Sequence, residues 1–325
     1  MKMNATLRLL AVSMLFVLLA ACDKSPKPPA APLSFGSIIW PGYEPFYLAR
    51  ELGYFPADKL HLAEYAKPAE AAKAFRSGAL QIMAVTLDEA LQLRRDIPDL
   101  KILLLLDASN GADAILAQSG IADLQQLKGR RVGVDNSVAA SYLLSLALQG
   151  AGMQAGQLDI VHLPPDEMEA AFRAHKLDAL VAAEPMRSRL LAAGAQPLFD
   201  SSRVPEKILH VLVTREEHMH RYYREMVGLV QGWQRALDYL RSEPGKAAQI
   251  MARHAQMEPA RFGVALQGIE LLGMKRNRAL LLEEPPPIAA SMESLQRFMM
   301  NNGMLQMGVD AAALLDTGML AETRP

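Results

Sequence analysis

The chain has 325 residues, 51% of them apolar, with 34 basic and 35 acidic side chains and a formal charge of −1. That length and apolar content suffice for one large or two medium packed domains. The balanced charge argues against a nucleic-acid partner, since the densest basic cluster, Lys128, Arg130 and Arg131, sits in a turn and reads as a solvated face.

The N-terminus carries a targeting pattern. Lys2 and Arg8 precede an apolar run from Leu9 to Ala21, too short for a membrane span and of the size of a signal-peptide core. The run ends in Leu19-Ala20-Ala21-Cys22, which resembles a bacterial lipoprotein signal, in which the cysteine is lipidated and becomes the new N-terminus. Cys22 is the single cysteine of the chain, so no internal disulfide is expected. Acyl chains contribute about 0.8 kcal/mol per buried methylene, so a multiply acylated Cys22 holds a protein durably on a membrane. Asp23 follows; its resemblance to the same position in enterobacterial lipoproteins implies the periplasmic face of the cytoplasmic (inner) membrane. Residues 1–21 are thus expected to form the leader and residues 22–33 the lipidated cysteine and a tether. The tether segment, DKSPKPPAAP, has four prolines and no apolar periodicity. Loss of the leader leaves 32 basic against 35 acidic groups, net −3.

The stretch that organises the chain is SIIWPGYEPFYLARELGYF, Ser37 to Phe55. A β-branched run ends at Trp40, a Pro-Gly turn follows, and Pro45 opens an amphipathic helix that Gly53 stops. Further strands are predicted over Ser34–Trp40, Leu60–Tyr65, Gln81–Val85, Lys101–Leu106, Ala112–Ala117, Arg131–Asp135, Asp159–Leu163, Asp178–Ala183 and His210–Thr214, with helices between most of them. Beyond Arg215 the pattern turns helical, over Glu216–Arg241, Gly245–His254, Pro259–Gly273 and Ser291–Asn302, with no strand evident. This is an α/β protein with a helical C-terminal part.

The block WPGYEPFYLARELGYF, together with TLDEALQL, DASNGADAIL, LKGRRVGVD and EPMRSRLLAAGA, resembles the solute-binding proteins of nitrate, sulfonate, taurine and thiamine-precursor transporters. The resemblance runs from Ser34 to Arg215. It implies the type II periplasmic binding protein fold, with two lobes joined by a hinge. Residues 34–111 and 210–325 are then expected in lobe 1 and 112–209 in lobe 2, with crossings near Gly111–Asp113 and Ser202–His210, where Asn110-Gly111 and Pro205 supply turn chemistry.

Five apolar runs each end in a residue able to bind something: Trp40, Thr86, Asp107, Asp135-Asn136-Ser137 and Glu184. Strand carboxyl ends form the crevice of open α/β sheets, so these residues are candidates for one cleft. Trp40 and Tyr43 read either as ligand-stacking rings or as buried packing aromatics. Glu44 stands beside them. Thr86 and Ser137 are placed to cap helices, and Asp88 in the first turn after Thr86 is equally explained as a helix-start residue. By resemblance, Asn136 and Ser137 lie in the cleft, and the segments carrying Asp107, Asn110, Asp113 and Glu184 border it. The set Glu44, Asp107, Asp113 and Glu184 is acidic, with Arg187 the one evident counter-charge. Burying carboxylates beside a bare anion is unfavourable. An amine, a zwitterion or a donor-rich heterocycle is therefore expected over nitrate, stacked on Trp40 or Tyr43.

Catalytic signatures are absent: the sequence contains no HExxH, no CxxC and no phosphate loop. His218 and His220 are two apart on a predicted helix and do not share a face, so no metal site is expected there, and no cofactor. The cysteine-rich block of related pyrimidine-synthesising enzymes is also missing. The resemblance implies a monomeric receptor that closes over a small molecule, docks on an ABC permease and makes or breaks no bond. Two other readings are a ligand-sensing lipoprotein that reports to a membrane kinase or cyclase, and a small-molecule lyase or synthase on the same fold.

Overall fold

The run LSFGSI forms β1 (Leu33–Ile38), whose residues Leu33 and Phe35 are fully buried. A 3-10 turn over Pro41–Tyr43 leads into α1 (Glu44–Glu51), and the chain is released at Gly53, where φ is 66°. The structure, a computed structural model, describes residues 31–322. The expected leader and Cys22, the expected lipidation site, lie outside the described residues.

The next elements alternate: β2 (Leu60–Tyr65), α2 (Pro68–Arg76), β3 (Ile82–Thr86), α3 (Leu87–Asp96) and β4 (Leu100–Ser109). The chain then builds β5 (Asp113–Ala117), β6 (Arg131–Val134), α4 (Val138–Gly150), β7 (Asp159–His162), α5 (Pro165–Arg173), β8 (Ala179–Ala183), α6 (Met186–Ala192) and β9 (Gln196–Asp200). It returns through β10 (Leu209–Arg215) and a 27-residue α7 (Glu216–Ser242). The remainder is α8 (Pro244–His254), α9 (Pro259–Gln267), β11 (Ile269–Leu271), α10 (Met274–Leu281), α11 (Ile288–Asn301) and two short helices, α12 (Ala311–Leu314) and α13 (Gly318–Glu322).

Two sheets result, ordered β11-β4-β10-β3-β1-β2 and β7-β6-β8-β5-β9. In the first, β1 is parallel to β2 and β3, while β10 runs antiparallel between β3 and β4. The carboxyl ends of β1 to β4 therefore share one edge with the start of β10. That edge carries the candidate residues Trp40, Thr86 and Asp107.

Two crossings join the sheets, β4 to β5 and β9 to β10, and hydroxyls tie them together. Ser201 Oγ lies 2.7 Å from Ser109 Oγ and accepts the Gly111 N–H at 2.7 Å, and Ser109 Oγ accepts the Asp113 N–H at 3.1 Å. Asn110 and Ala112 both donate to the Gly268 carbonyl, at 2.8 and 3.0 Å. A Cβ on Gly268 would stand 2.8 Å from the Ala112 nitrogen, so only glycine lets these backbones meet.

This contact explains a departure from the sequence expectation. The stretch Pro259–Gly273 is not one helix: α9 ends at Gln267, and β11 pairs antiparallel with the end of β4, Ile269 opposite Ser109 and Leu271 opposite Asp107. The pattern after Arg215 therefore contains a strand, made by pairing with a segment far away in sequence. Beside it, Asn277 acts as a strand substitute, accepting from Leu105 N at 2.7 Å and donating to Leu105 O at 2.8 Å, so the outer edge of β4 has its backbone groups met. Strand β9 and helix α10 were likewise not evident in the sequence.

Packing fixes α1 on the sheet. Phe46 lies between Phe35 of β1 and Trp233 of α7, with ring centroids 4.7 Å apart on each side, and all three rings are fully buried. Trp233 also donates its indole N–H to the Leu272 carbonyl at 3.1 Å. The helix that carries Tyr43 and Glu44 at its start thus rests on an aromatic stack.

Candidate functional site

Asp107, at the end of β4, is fully buried and holds two partners at once. Its Oδ2 accepts the Trp40 indole N–H at 3.1 Å and its Oδ1 meets His210 Nδ1 at 2.7 Å. His210 stands at the start of β10, directly opposite Asp107 in register. Trp40 stacks on the His210 ring at 4.6 Å and 28°, and Tyr43 presents itself edge-on at 5.5 Å and 85°. The Pro41-Gly42 turn wraps the carboxylate so closely that a Cβ at Gly42 would overlap Asp107 and the Trp40 nitrogen. Both aromatics are therefore buried packing residues as well as residues of the crevice edge.

Other carboxylates gather around this pair. Thr86 caps α3 in a capping box with Glu89, and Asp88 of the same first turn is buried. Burial, then the neighbouring Glu89 charge, pushes the Asp88 carboxyl up to about 7. Asp113, at the start of β5, is more than nine-tenths buried, and its Oδ2 has no hydrogen-bond partner among the described residues. Burial drives its carboxyl up to about 6 against the opposing Ser109 hydrogen bond and the His210 charge, with Asp107 and Asp135 adding repulsion. Tyr43 is pushed up by burial and then by Asp107. Burial alone would depress His210, but Asp107 first and Asp113 further off outweigh it, so the imidazole is held above its usual value. The residues thus form one acidic cluster around a single histidine.

The remaining candidates fall elsewhere. Glu44 points away from Asp107 and accepts from His254 Nδ1 at 3.1 Å with both oxygens. Glu184 is buried but fully engaged, by Arg187 at 3.0 Å and by the Ser188 hydroxyl at 2.8 Å and N–H at 3.2 Å. Asn110 is exposed, and its backbone N–H serves the crossing. Asn136 and Ser137 are exposed, and Ser137 caps α4 by accepting the Ala140 N–H at 3.1 Å. The sequence reading missed His210 and His254. Each is a lone histidine whose partner lies 103 or 210 positions away, and no local spacing signals it.

Helices attached to the two sheets also touch. Tyr142 of α4 shares a 2.7 Å hydrogen bond with Ser294 of α11, and its ring lies 5.0 Å from Phe298. Among the described residues no helix is long and apolar enough to cross a membrane.

Two α/β sheets joined by paired crossings, with polar groups at the strand ends beside them, give an α/β fold similar to that of periplasmic binding proteins. Residues 26–255 match the sequence model of the NMT1-like family, more than half of the chain. The chain belongs to the NMT1-like family.

A protein of Brucella abortus (strain 2308), named only as a binding protein, is 22% identical over 176 residues, 51% of this chain and 55% of that protein. The match thus spans about half the length of the curated relatives. Among solved structures, the ligand-binding component of an ABC-type import system from Staphylococcus aureus with zinc bound superposes with a TM-score of 0.73 at 15% identity, over 89% of this chain and 98% of that one. The alkanesulfonate-binding protein SsuA from Xanthomonas axonopodis pv. citri bound to MOPS gives 0.71 at 18% identity, over 88% and 98%. The desulfurization enzyme DSZB gives 0.68 at 16% identity, over 90% and 98%. At such identities the shared property is the fold, and that fold carries both receptors and an enzyme.

Proposed function

We propose that the chain is the solute-binding component of an ABC importer, held on the periplasmic face of the inner membrane by acyl chains on Cys22. Its solute carries positive charge: an amine, a zwitterion or a protonated heterocycle. The observation that carries the ligand class is Asp113, a buried carboxylate with an unpartnered oxygen in the neighbourhood of Asp107, Asp135 and a single histidine, His210. Leaving a buried acceptor unpaired costs about 1–3 kcal/mol, more when it is charged, and a cationic donor would remove that cost. Arg187, the one cation the sequence offered for an anionic ligand, pairs with Glu184 through Nη1, while its buried Nε has no partner among the described residues. The aromatic wall of Trp40 and Tyr43 adds about 0.5–2 kcal/mol for a cation that reaches a ring face.

Capture works by closure. A ligand that touches groups of both sheets binds the closed form better and shifts the population toward it. The Tyr142–Ser294 bond supports such a closed arrangement, and the closed form is what a permease would recognise.

The test is a thermal-shift screen of the purified chain against amines, pyrimidines, thiamine precursors, amino acids, taurine, alkanesulfonates, nitrate and bicarbonate. A ligand at a hundred times its dissociation constant stabilises the fold by about 2.7 kcal/mol. The proposal expects cationic or zwitterionic hits that are recovered unchanged after incubation. Stabilisation by nitrate or simple sulfonates alone would overturn the ligand class, and chemical turnover of a hit would overturn the receptor role.

A further inference from the structure

Glu44 and Tyr43 are neighbours in sequence but serve different clusters. Tyr43 faces His210, whereas Glu44 meets Glu64 and His254, and one ligand atom from each of these three lies within 4.8 Å of the other two. The three side chains come from separate elements: Glu44 opens α1, Glu64 is the penultimate residue of β2, and His254 closes α8.

The group is built rather than loose. The Glu44 side chain is 2% exposed, and the His254 ring lies flat on Tyr47 at 3.8 Å and 20°. The Tyr47 hydroxyl is in turn fixed 2.6 Å from Ser37 Oγ, and Ser37 is the register partner of Glu64 across β1 and β2. Imidazole orientation of this kind, set by surrounding groups, is what ligating histidines need. An ion pair between Glu44 and His254 accounts for two of the three groups. Glu64, drawn up as a second carboxylate, leaves the three groups with a net negative charge even when His254 is protonated, and a divalent ion held between the carboxylates would balance it.

We propose that Glu44, Glu64 and His254 form a site for a divalent transition metal of the zinc type. Two carboxylates and one neutral imidazole exactly neutralise a doubly charged ion, and this donor set suits zinc, cobalt(II) or manganese(II). Zinc–ligand bonds of about 2.0–2.2 Å put the donor atoms of a tetrahedral ion roughly 3.4 Å apart. Glu44 and His254 stand at 3.1 Å, so exposed Glu64 supplies the adjustment and the route of entry. A fourth position is left for water. Arg50, whose guanidinium lies 5.2 Å over the Tyr47 ring, weakens the site through its charge without blocking a ligand atom. Because α1 begins directly after the Trp40–Tyr43 turn, an ion here pins that turn to β2 and α8. The proposal does not depend on the ligand class of the cleft.

The experiment is calorimetric titration of the EDTA-treated, dialysed full chain with zinc sulfate, alongside visible absorption with cobalt(II). One saturable equivalent is expected, with cobalt d–d bands of four-coordinate intensity. Glu64→Gln, on an exposed side chain, should weaken binding at least tenfold without unfolding the protein, and His254→Ala should abolish it. His61→Ala and His162→Ala, at exposed histidines elsewhere, should leave it unchanged. No saturable binding, or equal binding by Glu64→Gln and the unaltered chain, would overturn the site.

Discussion

Asp107 and His210 face each other across β4 and β10 at 2.7 Å, and the Trp40 indole closes over both of them. The carboxylate is solvent-free, so its charge is tolerated only because the imidazole and the indole N–H satisfy it. Removing one member of a buried, hydrogen-bonded charge pair costs about 3–5 kcal/mol. Asp107→Ala should therefore lower the free energy of unfolding measured by urea titration by that order, while Asp107→Asn, which keeps an acceptor for Trp40, should lose less. In the asparagine variant the His210 proton resonances should titrate at lower pH than in the unaltered chain.

The pH dependence follows from the signs. Asp88, at about 7, and Asp113, at about 6, hold protons in the folded state that the unfolded chain has already released. Over about pH 4 to 7 the native state thus binds more protons, and stability falls as pH rises. His210 acts in the same direction, since a raised imidazole contributes stability below its unfolded value that is lost as pH climbs through its folded value. Denaturation midpoints of the ligand-free protein should therefore decrease from pH 5 to pH 8.

Asp113→Asn should raise the stability of the ligand-free protein at pH 8, by about 3 kcal/mol if the whole displacement from 3.8 to about 6 is recovered. A substitution that stabilises the fold while removing ligand affinity would mark Asp113 as a binding group. Chemical denaturation with and without ligand reads both effects from one preparation.

Gly268→Ala places a methyl group against the Ala112 backbone, which belongs to the crossing and has little room to yield. Overpacking of this kind costs typically about 1–3 kcal/mol. The variant should lose that much stability, and amide exchange should quicken at Asn110 and Ala112, both of which donate to the Gly268 carbonyl.

Tyr142→Phe removes the hydroxyl that bridges to Ser294 and keeps the ring against Phe298. One such bond is worth about 1 kcal/mol net. Ligand affinity should fall roughly fivefold, with a faster off-rate and an unchanged thermal midpoint in the absence of ligand; stopped-flow fluorescence separates these.

Much of this architecture could be read from apolar runs and their punctuation. Ile82 to Val85 ends in a threonine that caps the next helix, and Val132 to Val134 ends before Ser137, which does the same. Such signals are local, because a strand's alternation and a helix's cap lie within a few residues. What escaped is non-local. β11 is a strand only because β4 lies beside it, and His210 and His254 acquire their roles from carboxylates met through the fold. Trp40 illustrates the limit from the other side: its place at a strand end was legible, but its double role, packing on His210 and bonding to Asp107, was not. Glu184 looked like a free cleft carboxylate, and Arg187 and Ser188, three and four residues on, turn out to be its partners.

The most direct measurement is calorimetric titration at pH 8 of a cationic or zwitterionic hit from the screen into the unaltered chain, Asp113→Asn and Asp88→Asn. Capture of a positive group by the buried carboxylates predicts micromolar or tighter binding to the unaltered chain, at least tenfold weaker binding to Asp113→Asn, and recovery of the ligand unchanged. Undiminished affinity in both variants, or binding confined to anionic solutes, would contradict it.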